Sequence, residues 1–187
     1  LTPEQIVKEN LRDGVYLISA YANKFFQKQL WESEEGKVIA LNYFNQRGYT
    51  EEIIKKFQLG YSPKQKNALT NLAIKNQYQK EFLEESGLTL FNEQGSLDRF
   101  RERVIFPIHN YSGKVLGFGG RTLNSKNKAK YLNSPENPIY HKSKVLYGLY
   151  FSKSEIGKKN NCYIVEGYTD VISMHLVGVK NVVSASG

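Results

Sequence analysis

The chain has 187 residues, 40% hydrophobic and 24% charged, which excludes intrinsic disorder and allows one good-sized domain or two small ones. Its 26 Lys and Arg outnumber 18 Asp and Glu, and the resulting charge of +8 points to a polyanionic partner, although a solvated basic surface would show the same charge. The lone cysteine, Cys162, rules out an intrachain disulfide and fits a cytoplasmic protein, and neither a signal peptide nor an apolar stretch near the ~20 residues of a membrane span is present.

Residues 1–14 are polar, carry Asp13-Gly14 as a turn signal, and are expected to be a linker. From Val15 the apolar residues Leu17, Ile18, Tyr21, Ala22, Phe25, Phe26 and Leu30 recur at three- and four-residue spacing, which predicts a helix broken at Glu35-Gly36. A second helix carries Val38, Ile39, Leu41, Tyr43 and Phe44 and ends at Arg47-Gly48 through a glycine cap. Thr50 followed by Glu51 and Glu52 predicts an N-cap with acids in the first turn, opening a short helix to Phe57. Leu59–Pro63 reads as a turn or a short extended piece. Two further helices are expected near 65–75 and 78–86, the latter stopped by Gly87.

The middle changes character. Apolar-rich runs at 101–109 and 114–121 flank Asn110–Gly113, a hairpin signal. Residues 124–129 form a basic loop, and the two prolines of Tyr131–Pro138 make that stretch irregular. Lys144–Tyr150 leads into a short helix. The run Tyr163-Ile-Val165 then ends in Glu166-Gly167, an amphipathic stretch follows from Asp170 to Val177, and a second strand covers 181–185. This predicts a β-α-β unit whose buried first strand delivers a carboxylate to the C-terminal edge of a parallel sheet, where α/β proteins place their chemistry. Cys162, on that strand, is expected to be a buried packing thiol. The expected fold is α+β: a helical N-terminal half, a small mixed sheet with a hairpin, then the first β-α-β unit of an α/β domain. Its expected divisions are 1–14, 15–150 and 151–187. Beginning at Leu1 and stopping just after a strand, the chain is expected to be a piece of a longer enzyme.

Between 99 and 147 cations alternate with aromatics, the combination that suits single-stranded nucleic acid, where cations follow phosphates and rings accept bases. Phe106 and Phe118, inside strand-like runs, read as core, whereas Tyr131 in a polar loop fits either role. Gly117-Phe-Gly-Gly120 permits close approach of the backbone to a ligand or another strand, and Arg121 after it could address a phosphate; a bulged strand end is the plainer alternative. Glu166 and Asp170 could face one small site and hold a divalent metal or accept a proton. Asp170 reads first as a helix first-turn acid. Glu166, ending an apolar strand, has little structural use and is the candidate catalytic residue. His109, His141 and His175 lack metal-binding spacing and are expected to be structural or at the surface.

Five motifs stand in order in the second half: Asp98-Arg-Phe-Arg-Glu-Arg-Val-Ile-Phe-Pro-Ile108, Gly113-Lys-Val-Leu-Gly-Phe-Gly-Gly-Arg121, Lys130-Tyr-Leu-Asn-Ser-Pro-Glu136, His141-Lys142 with Leu146-Tyr-Gly-Leu149, and Glu166-Gly-Tyr-Thr-Asp170. Together they resemble the catalytic core of bacterial replicative primase, the DnaG type. The resemblance implies synthesis of short RNA primers on a single-stranded DNA template from ribonucleoside triphosphates, using Mg²⁺ or Mn²⁺ in a TOPRIM domain. It also implies a zinc-binding N-terminal domain and a C-terminal domain that meets the replicative helicase, both outside this chain. By the same resemblance Glu166 is the catalytic and metal-site glutamate, with Asp170 beside it. Arg47, Arg99, Arg101, Arg121, Lys130, Tyr131, Asn133 and Lys142 fall in the nucleic-acid groove. The family's Asp-x-Asp pair lies beyond Gly187, so the chain alone is expected to bind nucleic acid without polymerising. The competing readings are another TOPRIM enzyme, a topoisomerase or nuclease, and a non-catalytic single-strand-binding module.

Overall fold

The computed structural model describes residues 2–185. Helix α1 runs over Pro3–Glu32, so residues 3–14 are its opening turns and not a linker. Thr2 and Gln5 form a reciprocal capping box around the first-turn proline, which starts the helix. Gly14 makes no turn: a Cβ there would stand 2.2 Å from the Phe82 ring, so its absence lets another helix approach. The helix ends at Ser33, and a π-helical segment, Gly36–Leu41, runs directly into α2, Asn42–Gln46. Gly36 likewise serves packing, since its Cβ would lie 2.0 Å from the Gln29 carbonyl oxygen.

Helix α3, Glu51–Lys56, starts as expected: Thr50 Oγ1 accepts from the Ile53 N–H at 3.2 Å. Strand β1 (Gly60–Ser62) precedes α4 (Ala68–Lys75) and α5 (Lys80–Glu85), and a hairpin of β2 (Thr89–Asn92) and β3 (Gly95–Asp98) follows. Buried Asp98 closes the α4 N-terminus from a distance. It accepts from the Leu69 and Thr70 N–H groups at 2.8 and 3.1 Å and from the Thr70 hydroxyl, which itself meets Thr89 Oγ1 at 2.7 Å. Burial pushes the Asp98 carboxyl above its ordinary range, while these bonds pull it back.

The main sheet has the order β1-β4-β5-β6 and is antiparallel throughout, with β4 at Arg103–His109, β5 at Val115–Thr122 and β6 at Tyr131–Asn133. The stretch read as irregular thus begins with a strand. Alternate β4 residues face opposite clusters: Val104, Phe106 and Ile108 pack with Phe44, Phe57 and Tyr168, while Ile105 packs with Phe26, Leu83 and Phe118. Helices cover both faces, which explains why every β4 residue is buried.

After a 3₁₀ turn at Lys142–Lys144 come β7 (Leu146–Tyr147), α6 (Leu149–Lys159), β8 (Tyr163–Val165), α7 (Tyr168–Leu176) and β9 (Val182–Ala185). Strands β8 and β9 are parallel, the expected β-α-β unit. Strand β7 joins the same sheet because Tyr147 pairs with Ser184, so the expected boundary at 150–151 falls inside α6. Strand β8 lies at the sheet edge and is not buried: Ile164 is 76% exposed, and Cys162 is exposed rather than a packing thiol.

Two buried histidines tie this unit to the rest. Ser152 Oγ donates to the Val182 carbonyl at 2.7 Å and must therefore accept from His175 Nε2–H at 3.0 Å; that tautomer leaves His175 Nδ1 to accept from the Lys56 ammonium at 3.2 Å. His109 Nε2 meets Gln58 Oε1 at 2.8 Å. Burial pushes both imidazoles down to about 4 from 6.5, with Lys56 and Lys180 adding to the effect at His175. The neutral forms belong to the folded state, so the unfolded chain binds more protons between these values. Stability is fully present above pH 6.5 and is lost as pH falls towards 4. A urea midpoint that is flat above pH 7 and declines steadily from 6.5 downward is the expected result; one constant to pH 4.5 would contradict the assignment.

Candidate nucleic-acid interface

The sheet edge at β5 and β6 carries an alternating stack of cations and rings. Arg121 and Tyr131 are register partners across the two strands. The Arg121 guanidinium lies 5.8 Å from the Tyr131 ring centre and 4.9 Å from that of Tyr43 on α2. Arg47, four residues on, covers Tyr43 at 5.0 Å. Lys130 and Arg121 border an open cavity of about 510 Å³ together with Tyr43 and Asn124.

Two arginines in the same stretch have inward work. Arg103, 5% exposed, donates to the carbonyls of Gly120, Ala129 and Lys130 at 2.9–3.3 Å and so pins the basic loop whose lysine side chains stay exposed. Arg99 donates through Nε and Nη2 to the Asn133 carbonyl at 3.2 and 3.0 Å, clamping β6. Burial lowers the pKa of both. Arg101 is exposed in the turn before β4. Lys142 sits apart with Glu136, which accepts from the Lys142 N–H at 2.8 Å and meets His141 Nδ1 at 3.0 Å. Nothing in the spacing distinguished the clamps from surface cations; only Arg103's place within an apolar run hinted at burial.

The stack adjoins the carboxylate edge. Tyr131, Asn133, Glu166, Tyr168 and Asp170 border a second cavity of about 350 Å³. Tyr168 fixes the geometry there. Its hydroxyl donates to Asn133 Oδ1 at 2.8 Å, and its ring stacks on Phe106 at 5.7 Å and packs against Tyr147 at 4.5 Å. It occupies the space that a Gly119 side chain would fill, since a Cβ there would lie 2.3 Å from the ring. Gly117 and Gly120 make similar room for Ser134 and Phe100, at 3.0 and 2.7 Å. The glycine motif therefore serves packing, and the hairpin's bulge lies elsewhere, at Ile108/His109. Beside Tyr168, Tyr49 donates to the Thr169 carbonyl at 3.2 Å, so the start of α7 is held from two sides.

Glu166 is exposed at the end of β8, and its carboxylate makes no hydrogen bond among the described residues. Asp170 Oδ2 accepts from the Gly167 N–H at 3.0 Å, the first-turn role expected of it, which leaves Oδ1 uncommitted. The described residues hold no cluster of three or more His, Cys, Asp or Glu side chains suited to a metal. Two carboxylates on one open cavity nevertheless suit Mg²⁺, which takes one or two carboxylates, keeps several waters and completes its shell with substrate phosphates. No helix among the described residues is long and apolar enough to cross a membrane.

Residues 25–153 match the family described as DNA primase catalytic core, N-terminal domain. The chain is 46% identical to a DNA primase of Halalkalibacterium halodurans over 99% of its own length and 32% of the relative's. The RNA polymerase domain of Mycobacterium tuberculosis primase DnaG superposes with a TM-score of 0.89 at 35% identity, over 94% of this chain and 57% of that one. A DnaG primase catalytic domain bound to ssDNA does so with a TM-score of 0.87 at 35% identity, over 96% and 55%. The chain thus spans about a third of the curated relative's length and somewhat over half of each solved chain. It belongs to the family of the DNA primase catalytic core, N-terminal domain.

Proposed function

We propose that this chain is the template-holding portion of a DNA primase, a nucleotidyltransferase that makes short RNA primers on single-stranded DNA from ribonucleoside triphosphates. The observation that carries this reading is the junction at Tyr131, where the Arg47–Tyr43–Arg121 stack meets the cavity bordered by Glu166. Arg47, Arg121 and Lys130 neutralise backbone phosphates, and the exposed Tyr131 ring offers a face to a base. Asn133, its oxygen taken by Tyr168, has its amide N–H groups left to donate to a ligand. Arg101 is a further exposed cation, whereas Arg99 serves the interface indirectly by clamping Asn133, and Lys142 stands apart from it. The Arg-rich hairpin and the Lys130–Pro135 loop that build this junction set the chain apart from topoisomerases and nucleases with a similar Glu-Gly strand end.

Glu166 and the free oxygen of Asp170 are the groups that would hold Mg²⁺ or Mn²⁺. Such an ion, when bound, lowers the pKa of an attacking hydroxyl and neutralises the leaving pyrophosphate. The chain's own contribution is positional. Tyr168, Asn133 and Gly119 fix where Glu166 stands relative to the cations, so that a phosphate backbone held at Arg121 runs past the carboxylate edge.

Binding of a labelled oligo(dT) across a salt series tests this reading. Three phosphate contacts, at about −0.7 each for single strands, give a slope of log K against log salt near −2. Equal affinity at low and moderate salt would sink the reading.

A further inference from the structure

We infer that Tyr43 is a positioning residue for template binding, presenting Arg47 and Arg121 to phosphates from a single ring. This deepens the proposed function and rests on it. Tyr43 and Arg47 meet because residues four apart share a helix face, whereas Arg121 arrives from β5 against the same ring. Neither arginine forms an ion pair among the described residues. Arg121 Nε is closed off from solvent and has no hydrogen-bond partner among them either. Its guanidinium is thus held by two aromatic faces, those of Tyr43 and Tyr131.

That manner of holding matters. A carboxylate partner would have to be displaced by an incoming phosphate, whereas a ring fixes the guanidinium plane and leaves its charge available. Tyr43 is itself fixed from below. The next residue, Phe44, is fully buried in the core, and the π-helical segment Gly36–Leu41 runs directly into α2. Such π segments are common at functional positions. Burial raises the Tyr43 hydroxyl above its ordinary value, so the ring stays neutral at working pH.

The test is oligo(dT) anisotropy over a salt series with the full chain as wild type, Y43F, Y43L and R121A, each checked by thermal melting. Y43L is expected to bind roughly tenfold more weakly, the effect of losing two cation–π contacts. Its salt slope should be shallower by about 0.7 to 1.4, one or two phosphates. Y43F, which keeps the ring, should restore both. A merely structural role would lower the melting temperature and the active fraction but leave the slope of the folded molecules unchanged. Y43L with a wild-type slope would overturn the inference, as would R121A without effect on binding. Failure of the wild type to bind would instead bring down the template-binding reading, and this inference with it.

Discussion

Replacing Gly119 with alanine is expected to destabilise the protein by about 2–3 kcal/mol, the usual cost of forcing extra volume into a packed interior. The added Cβ would stand 2.3 Å from the Tyr168 ring, and that ring has little freedom to retreat. Phe106 stacks on it, Tyr147 packs beside it, and its hydroxyl is committed to Asn133. The substitution therefore pushes on the joint between the main sheet and the β-α-β unit, two residues from Glu166. At this chain length a loss of that size lowers the melting temperature by roughly 5–10 °C. Gly157 provides the contrast, because it lies within α6 with nothing within 4 Å of its would-be Cβ. Alanine there should be neutral or stabilise by up to about 1 kcal/mol. Urea denaturation of both variants separates the two cases, and a Gly119→Ala protein within about 0.5 kcal/mol of wild type would show that Tyr168 is not the fixed point described above.

Elements that bury one face were legible before the structure. The three- and four-residue spacing of Ile18, Ala22, Phe26 and Leu30 marked the core face of α1, and the hydroxyl of Thr50 marked the start of α3. The hairpin of β4 and β5 was readable because apolar runs flank a Gly113 turn with φ of +88°. The errors share a physical origin. Residues 3–13 form a largely solvated helix whose apolar residues are few, so polar composition passes for a linker although Val7, Leu11 and Val15 already keep the helical step. Gly14 and Gly119 are present because another side chain fills their space, and that neighbour is distant in sequence. The apolar run of β8 suggested burial, yet the strand lies at a sheet edge.

The candidate site divides along the same line. Glu166 stood out because a carboxylate after an apolar run has no local structural use, and the structure sets it on an open cavity with Tyr131 and Asn133. Arg121 and Tyr131 could be named from the basic, aromatic composition, but their stacking with Tyr43 depends on helix α2 packing beside β5, which no local pattern encodes. Arg99 and Arg103 looked like their neighbours in sequence and differ only in facing backbone carbonyls.

The largest effect expected of any single substitution is at Glu166. Exchange for glutamine keeps the shape of the side chain and removes the charge that would hold a divalent ion, whose contribution to such reactions is several kcal/mol. At about 1.4 kcal/mol per tenfold, primer synthesis should fall by roughly 10²–10³. RNA synthesis on single-stranded DNA with Mg²⁺, by a complete catalytic core carrying this chain, compared with its Glu166→Gln form, is the most direct measurement. Short RNA products that all but vanish with the substitution are the predicted result. Products persisting at the wild-type level would contradict the placement of the reaction at the Glu166 edge.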